Sequence, residues 1–303
     1  MPAIDSWSAF GASDLAALKS GGIQMKSNPS MTFPRGLSAQ AVYVVDANVE
    51  SAAQVLRSLD ASRYPQLEVF QQRTFRVTEE ARFAELKFDA KTSAFQHLLD
   101  ETISPRHLQL SPDERAHLPR PKTAAAAQVF WTGVIEDRST RFLRDGQCPA
   151  TGDFNPRSEI RSLLQEETKV AAHFEALLQP WVNASGNPGA AAAACYWDVS
   201  STDGLANLEL GAIFERPEGE RRQVADVTYY SSSGYIASVS LFEFIPVAGR
   251  APAQTLVWQG TLVSSADVAG AFGLKRKFAI RTVEDQMKQW IGIFRQACIE
   301  WKK

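Results

Sequence analysis

The last third of the chain most constrains the fold, because strand-like segments there lead directly into one long amphipathic helix. Strands are predicted at 205–216, 222–230, 235–247 and 255–263, with short turns between them. Short connections between successive strands are typical of an antiparallel meander. A helix predicted over 281–301 follows at the C-terminus. We therefore predict an α+β protein in which a twisted antiparallel sheet grips a long C-terminal helix.

Both faces of this sheet must be covered. Apolar residues occupy both sides of the strand predicted at 235–247, which a sheet with one face open to water would not show. The C-terminal helix can cover one face with a broad apolar stripe, which consists of Val283, Met287, Trp290, Ile291, Phe294, Cys298 and Trp301. The other face needs a second layer of helices.

The rest of the chain divides into an arm, the start of the sheet and an insertion. Residues 1–36 are rich in Gly, Ser and Pro and are predicted to form an N-terminal arm. Residues 37–75 contain a strand, a helix capped by Asn48 and a second strand, and they form one α+β domain with 192–303. Residues 76–191 are interpreted as a mostly helical insertion.

Two long helices are predicted within the insertion. The first covers 124–144 and ends at Gly146, because glycine readily adopts the left-handed conformation that closes many helices. The second covers 158–178, with Ser158 as its N-cap.

Composition limits the partners and the location of the chain. A net charge of -2 over 303 residues gives no bulk attraction to nucleic acid or to anionic lipid, so we expect neither partner. No stretch approaches the roughly 20 apolar residues of a membrane-spanning helix. The N-terminus has no basic segment followed by an apolar one, which leaves a cytoplasmic location and export with a signal peptide absent from this chain both open. The oligomeric state is open as well.

No cofactor or metal site is predicted. Cys148, Cys195 and Cys298 lie far apart and form no CxxC pair, although one disulfide with a leftover thiol is compatible with the sequence. The sequence contains no phosphate-binding loop, no dinucleotide-binding glycine pattern and no GxSxG motif.

The four histidines are interpreted as surface or structural residues. His97, His107 and His117 occur ten residues apart in a region broken by prolines, and His173 lies on the second predicted helix. Metal ligands on helices are usually spaced four residues apart or closer, which these histidines are not. The carboxylates that would have to complete a metal site are Asp100, Asp113 and Glu114.

Two carboxylates are candidates for acid/base catalysis. Glu243 shares a face of its predicted strand with Leu241 and Ile245, and burial there would raise its pKa. The alternative is a strand end that reaches solvent, or an ion pair with an arginine such as Arg222. Asp226 is placed similarly on the preceding strand, and a facing pair of carboxylates is suited to acid/base chemistry.

The start of the sheet carries a resemblance to a known superfamily. The strand that begins at Val42 is followed by Asp46, Ala47, Glu50, Val55, Leu56, Leu59, Tyr64 and Pro65. This order resembles the first strand and the short helices of the START-like, helix-grip superfamily, which includes the plant pathogenesis-related allergens and the polyketide cyclases. The predicted C-terminal helix is similar to the long helix that crosses the seven-stranded sheet of that superfamily. The insertion is a departure, since members normally continue straight into the sheet. The layout also resembles certain bacterial exported proteins without assigned function.

The resemblance implies a cavity between the sheet and the C-terminal helix that binds a lipid or another hydrophobic small molecule. We predict binding of this kind, without catalysis, as the function. The residues predicted to line the cavity are Tyr229, Tyr235, Met287, Ile291 and Phe294. One alternative is an enzyme of the cyclase or hydrolase type that uses Glu243 or Asp226. Another is a structural or interaction protein with a filled core, since burying each large side chain of the helix stripe is worth about 1.5 to 3 kcal/mol without any ligand.

Overall fold

Eight strands form one antiparallel sheet within the part of the chain that the structure describes. The structure is a computed structural model, and it describes residues 4–18, 21–28, 31–76, 83–88, 92–103, 105–119, 123–183, 185–202, 204–249, 253–271 and 273–301. The strands are β1 (Gln24–Ser27), β2 (Gly36–Val45), β3 (Val69–Phe75), β4 (Ala194–Thr202), β5 (Leu205–Glu218), β6 (Arg221–Ser231), β7 (Ala237–Val247) and β8 (Gln254–Ser264). Their order in the sheet is β1-β2-β8-β7-β6-β5-β4-β3.

The predicted antiparallel meander is confirmed and extended. Strands β3 to β8 are neighbours in chain order, and β2 pairs with β8 from Gly36 opposite Ser264 to Val45 opposite Thr255. Strands β1 and β4 were not predicted. β1 adds an edge strand from within the N-terminal arm, and β4 lies between β3 and the strands of the last third.

Helices connect and cover the strands. They are α1 (Ala12–Ala17), α2 (Val49–Ser58), α3 (Ser93–Ile103), α4 (Pro112–Ala116), α5 (Ala124–Asp145), α6 (Pro156–Glu166), α7 (Thr168–His173), α8 (Glu175–Val182), α9 (Pro188–Ala191) and α10 (Leu274–Glu300). As predicted, the Asn48 side chain caps α2 by accepting from Ser51 N at 2.8 Å, and Gly146 ends α5 with φ 64°. The C-terminal helix begins at Leu274, earlier than the predicted start at 281.

The single helix predicted over 158–178 is wrong, because the chain there forms α6, α7 and α8. Glu167 leaves the helical conformation with φ −113° and ψ 54° between α6 and α7. Its carboxylate accepts hydrogen bonds from Ser38 Oγ at 2.7 Å and from Asn28 Nδ2 at 3.0 Å. A local periodicity cannot predict these contacts, because the partners lie far away in the sequence. Asn155, and not Ser158, is the N-cap of α6. Its Oδ1 accepts a hydrogen bond from the backbone N–H of Ser158 at 3.1 Å.

Apolar layers cover both faces of the sheet. Helices α10 and α2 pack on one side, which we call the α10 face, and their buried residues include Val283, Ile291 and Phe294. The helices between β3 and β4 pack on the opposite side, which we call the insertion face, together with the N-terminal arm. All three cysteines are buried as thiols, so the disulfide that the sequence left open is not formed. Among the described helices, none combines the length and the apolar character needed to cross a bilayer.

Candidate functional site

A cavity of about 540 Å³ lies on the α10 face, between the sheet and α10. Strands β3 to β8 form its floor, and α2 with the two short 3-10 turns Ala61–Arg63 and Pro65–Leu67 forms one wall. The residues of α10 that line it are Val283, Gln286, Met287, Gln289 and Trp290.

Three carboxyl side chains from adjacent strands line the floor of the cavity. Asp198 on β4 and Glu209 on β5 lie directly opposite each other in the register of the sheet, and Asp226 follows on β6. Residues directly opposite in an antiparallel pair share a face, and two like charges in such a pair destabilise it. We call Asp198, Glu209 and Asp226 the carboxyl cluster.

A tyrosine and a glycine position the carboxyl of Asp226. Tyr196 lies opposite Gly211 in the β4–β5 register, and a Cβ atom at Gly211 would come within 2.1 Å of the Tyr196 ring. Glycine therefore leaves the space in which this ring lies flat across the neighbouring strand. The Tyr196 hydroxyl donates to Asp226 Oδ1 at 2.9 Å and lies 3.2 Å from Thr228 Oγ1.

Glu209 is held by a polar network that begins in the turn between β6 and β7. The side-chain oxygen of Asn207 accepts from Ser231 Oγ at 3.0 Å and from Ser233 N at 2.9 Å, which fixes the orientation of the amide. The Asn207 amide nitrogen consequently donates to Glu209 Oε1 at 2.6 Å. Tyr235 leaves the same turn, and its hydroxyl hydrogen bonds Glu209.

Loss of hydration raises the pKa of every member of the carboxyl cluster. It raises the pKa of Asp226 to about 6, although the hydrogen bond from Tyr196 opposes the shift. It raises the pKa of Glu209 to about 7, against the opposing hydrogen bonds of Tyr235, Ser200 and Asn207. The pKa of Asp198 is raised well above its ordinary range, first by burial and then by the charges of Glu209 and Asp226. Near neutral pH the cluster can therefore both donate and accept protons.

The structure gives no indication of a metal centre in the part of the chain it describes. There, no three His, Cys, Asp or Glu side chains converge to hold a metal ion. His97 Nδ1 lies 2.9 Å from Gly204 O, and His117 Nδ1 lies 2.7 Å from Asp113 O. His107 is exposed.

Of the residues predicted to line the cavity, Tyr235 and Met287 do so, and Asp226 lines the same cavity. Ile291 and Phe294 are fully buried in the packing between α10 and the sheet. Tyr229 points to the insertion face, where its ring stacks on that of Phe142 with 3.9 Å between the ring centroids. Tyr229 lies three residues after Asp226, so alternation along β6 puts it on the opposite face, with Ala225 and Val227. The irregularity in the β5–β6 register, where Leu210 pairs with Tyr230 and Gly211 pairs with Thr228, puts Tyr230 on the insertion face as well.

Glu243 lies on the insertion face, and the expectation that it faces Asp226 is wrong. Asp226 pairs with Ser240 in the β6–β7 register, and Glu243, three residues further, points to the opposite side. The Glu243 side chain is fully buried and forms a hydrogen bond with His173 Nε2 and an ion pair with Arg221 at 3.3 Å. The sequence had suggested an arginine partner, but Arg222, which pairs with Glu50 and Glu215, is not the one.

Sequence reasoning missed Asp198, Glu209 and Tyr196, although a local signal was present. In β4, the apolar residues Cys195, Trp197 and Val199 alternate with Tyr196, Asp198 and Ser200. In β5, Leu208 and Leu210 alternate with Asn207 and Glu209. This period of two predicts strands with one apolar and one polar face, which is where cavity-lining carboxyls occur.

A second cavity of about 810 Å³ lies at the end of β7 and the start of β8, beside α1. Its lining is mainly apolar and includes Leu15, Leu18, Ile245 and Val247. Residues 19–20 and 250–252, which adjoin this lining in sequence, are outside the described residues. The cavity on the α10 face contains the carboxyl cluster.

No protein-family model, curated protein or solved structure matches the chain.

Proposed function

We propose that the chain binds a small organic molecule with a hydrophobic body in the cavity between the sheet and α10. The observation that carries this proposal is the cavity of about 540 Å³, in which apolar residues of α10 face the carboxyl cluster across an unfilled space. Ligand pockets typically combine an apolar lining with a few polar groups that fix orientation. Met287, Trp290 and Phe242 supply the apolar lining here, and the cluster supplies the polar groups.

The arrangement of elements supports relating the fold to the START-like, helix-grip superfamily. Without the edge strand β1, the sheet has seven strands, β2 to β8, with short helices after the first strand and a long C-terminal helix across one face. The described helices of the insertion between β3 and β4 pack on the opposite face, and none of the residues described there lines this cavity. Fold similarity by itself does not carry function, so the ligand must be identified from the site.

The proposal is tested by native mass spectrometry of the purified protein, followed by organic extraction of whatever co-purifies. A bound species with a hydrophobic body is the expected result. The variant Ser240→Phe places an aromatic ring on the cavity floor and should lower the occupancy, whereas Thr282→Phe adds a ring at an exposed position of α10 and should not. A mass without ligand, together with no thermal shift from a panel of lipids and small hydrophobic molecules, would contradict the proposal.

A second candidate function is acid/base catalysis of the cyclase or hydrolase type, with Asp226 as the catalytic group. Two observations favour it: the pKa of Asp226 is raised to about 6, and the Tyr196 hydroxyl, which donates a hydrogen bond to Asp226 at 2.9 Å, holds that carboxyl in place at the cavity. The extracted ligand and its ester and ketone analogues would be incubated with the protein and with the variant Asp226→Asn. Turnover that Asp226→Asn abolishes without loss of ligand binding supports catalysis, and turnover that survives in the variant contradicts this role.

A further inference from the structure

The carboxyl of Asp198 has an unused hydrogen-bonding atom inside the cavity. Its Oδ1 has no hydrogen-bond partner among the described residues, and the residue is only 9% exposed. A buried acceptor without a partner destabilises the fold, because the hydrogen bonds it made to water are lost and not replaced. Glu209 lies directly opposite, so the two carboxyls also repel each other whenever both are ionised.

Little positive charge is available to offset these carboxyls. The floor contributes Asp198, Glu209 and Asp226, the 3-10 turn before β3 adds Glu68, and the described residues that α10 contributes to the lining are uncharged. One cation, Arg57 of α2, stands in the described lining, and its guanidinium donates to Glu215 at 3.0 Å. Buried charges are normally paired, and this cluster lacks such a pair within the described residues.

We infer that the cavity recognises an organic cation with N–H donors, a protonated amine attached to the hydrophobic body, with its ammonium group between Asp198 and Glu209. This inference rests on the proposed function and adds the chemistry of the ligand's polar end. An ammonium group carries three N–H donors, so it can give Asp198 Oδ1 a partner and at the same time offset the repulsion between the two carboxyls. The geometry favours an organic cation, because the described carboxyls do not converge as metal ligands do.

The ionisation of the cluster gives the binding a characteristic pH dependence. Carboxyls whose pKa is about 6 and about 7, as for Asp226 and Glu209, lose their protons as the pH rises from 5.5 to 8, while an alkylamine stays protonated. The affinity for the amine should therefore increase across this range. Binding near pH 6.5 should release protons, because the cation stabilises the ionised carboxylates.

The experiment compares amines with alcohols of the same shape. Calorimetric titration of the full chain would use 4-phenylbutylamine against 4-phenylbutan-1-ol, with shorter and longer phenylalkyl pairs to vary the body. At pH 8 the amine should bind at least about tenfold more tightly than the alcohol, as expected for hydrogen bonds to charged groups. The preference should shrink at pH 5.5.

Variants localise the effect. Glu209→Gln should remove most of the preference for the amine and leave the affinity for the alcohol unchanged, because Glu209, with a pKa of about 7, loses its proton below pH 8. Asp198→Asn, at the position directly opposite, provides a second test if the first variant folds poorly. Asp285→Asn makes the same change of charge at an exposed position of α10 outside the cavity lining and should have no effect.

The outcomes separate this inference from the proposed function. Alcohols that bind as tightly as amines throughout the series would overturn the inference and keep the proposed function. The same holds if a neutral molecule is extracted and no amine of the series binds. An amine preference that survives in both Asp198→Asn and Glu209→Gln would overturn the assignment of the ammonium site. Absence of binding by every probe, together with no co-purifying molecule, would contradict both proposals.

Discussion

Replacing Asp226 with Asn should stabilise the fold, and the gain should grow with pH. In the folded protein the desolvated carboxyl has a pKa of about 6, against an ordinary value of 3.8. A carboxyl whose pKa is raised on folding contributes stability that is fully present below the unfolded pKa and is lost as the pH rises through the folded pKa. At pH 8 the folded protein must therefore keep a poorly hydrated carboxylate.

The magnitude follows from the size of the shift. A rise of about two pKa units corresponds to about 3 kcal/mol in the free energy of unfolding. Asn cannot ionise, yet its side-chain oxygen can still accept the hydrogen bond that Tyr196 donates at 2.9 Å. Asp226→Asn is accordingly expected to gain about 3 kcal/mol at pH 8 and about half of that at pH 5.

Urea unfolding at both pH values measures this difference directly. The control is Asp285→Asn, because the side chain of Asp285 is 59% exposed and its replacement should change stability by less than about 0.5 kcal/mol at either pH. A gain for Asp226→Asn that is equal at pH 5 and pH 8 would refute the reasoning. A loss of stability at pH 8 would refute it as well, since the carboxylate would then be stabilised where it lies.

Two further predictions concern the packing around the site and the buried pair on the insertion face. Gly211→Ala should destabilise the protein by about 1 to 3 kcal/mol in urea unfolding, because the new methyl group displaces the Tyr196 ring. The control Gly133→Ala, at an open position on α5, should be neutral or stabilising. His173→Ala should cost roughly 3 to 5 kcal/mol, because it removes the partner of the buried Oε2 atom of Glu243 and leaves Arg221 as the partner of Oε1. Arg221→Ala should cost about 1 kcal/mol or less, since that side chain is 38% exposed. Equal effects within either pair would contradict the corresponding argument.

The architecture could be predicted from sequence where the pattern depends on neighbours along the chain. The apolar stripe of α10, the meander of β5 to β8 and the caps of α2 and α5 are all local signals. The structure contains each of them, except that Trp301, the last residue of the predicted stripe, follows the end of α10 and is 52% exposed. The break between α6 and α7 could not be predicted from local sequence. At this break the Glu167 carboxylate accepts hydrogen bonds from Ser38 and Asn28, which lie in another part of the sequence.

The site could be predicted only in part, for a related reason. The face on which Glu243 lies follows from the alternation along β7, but its contact with His173 spans 70 residues of sequence. Which strand faces form the cavity depends on the register between neighbouring strands. Strict alternation along β6 puts Tyr229 on the face opposite Asp226, so the two could not both line one cavity. The register irregularity puts Tyr230 on the insertion face as well, which a strictly alternating pattern does not predict.

The distribution of polar residues on the α10 face argues that the cavity is a selected feature of the fold. Helix α10 packs on β2, whose residues on this face are apolar from Leu37 to Val45. On the same face, β4, β5 and β6 carry Asp198, Glu209 and Asp226 where apolar residues would each contribute about 1.5 to 3 kcal/mol by burial. A chain under pressure for stability alone would replace these carboxyls, because each has a raised pKa and thus weakens the fold at neutral pH. Residues that reduce stability while lining a cavity are typical of functional sites, so the carboxyl cluster is where the function of this chain should be sought.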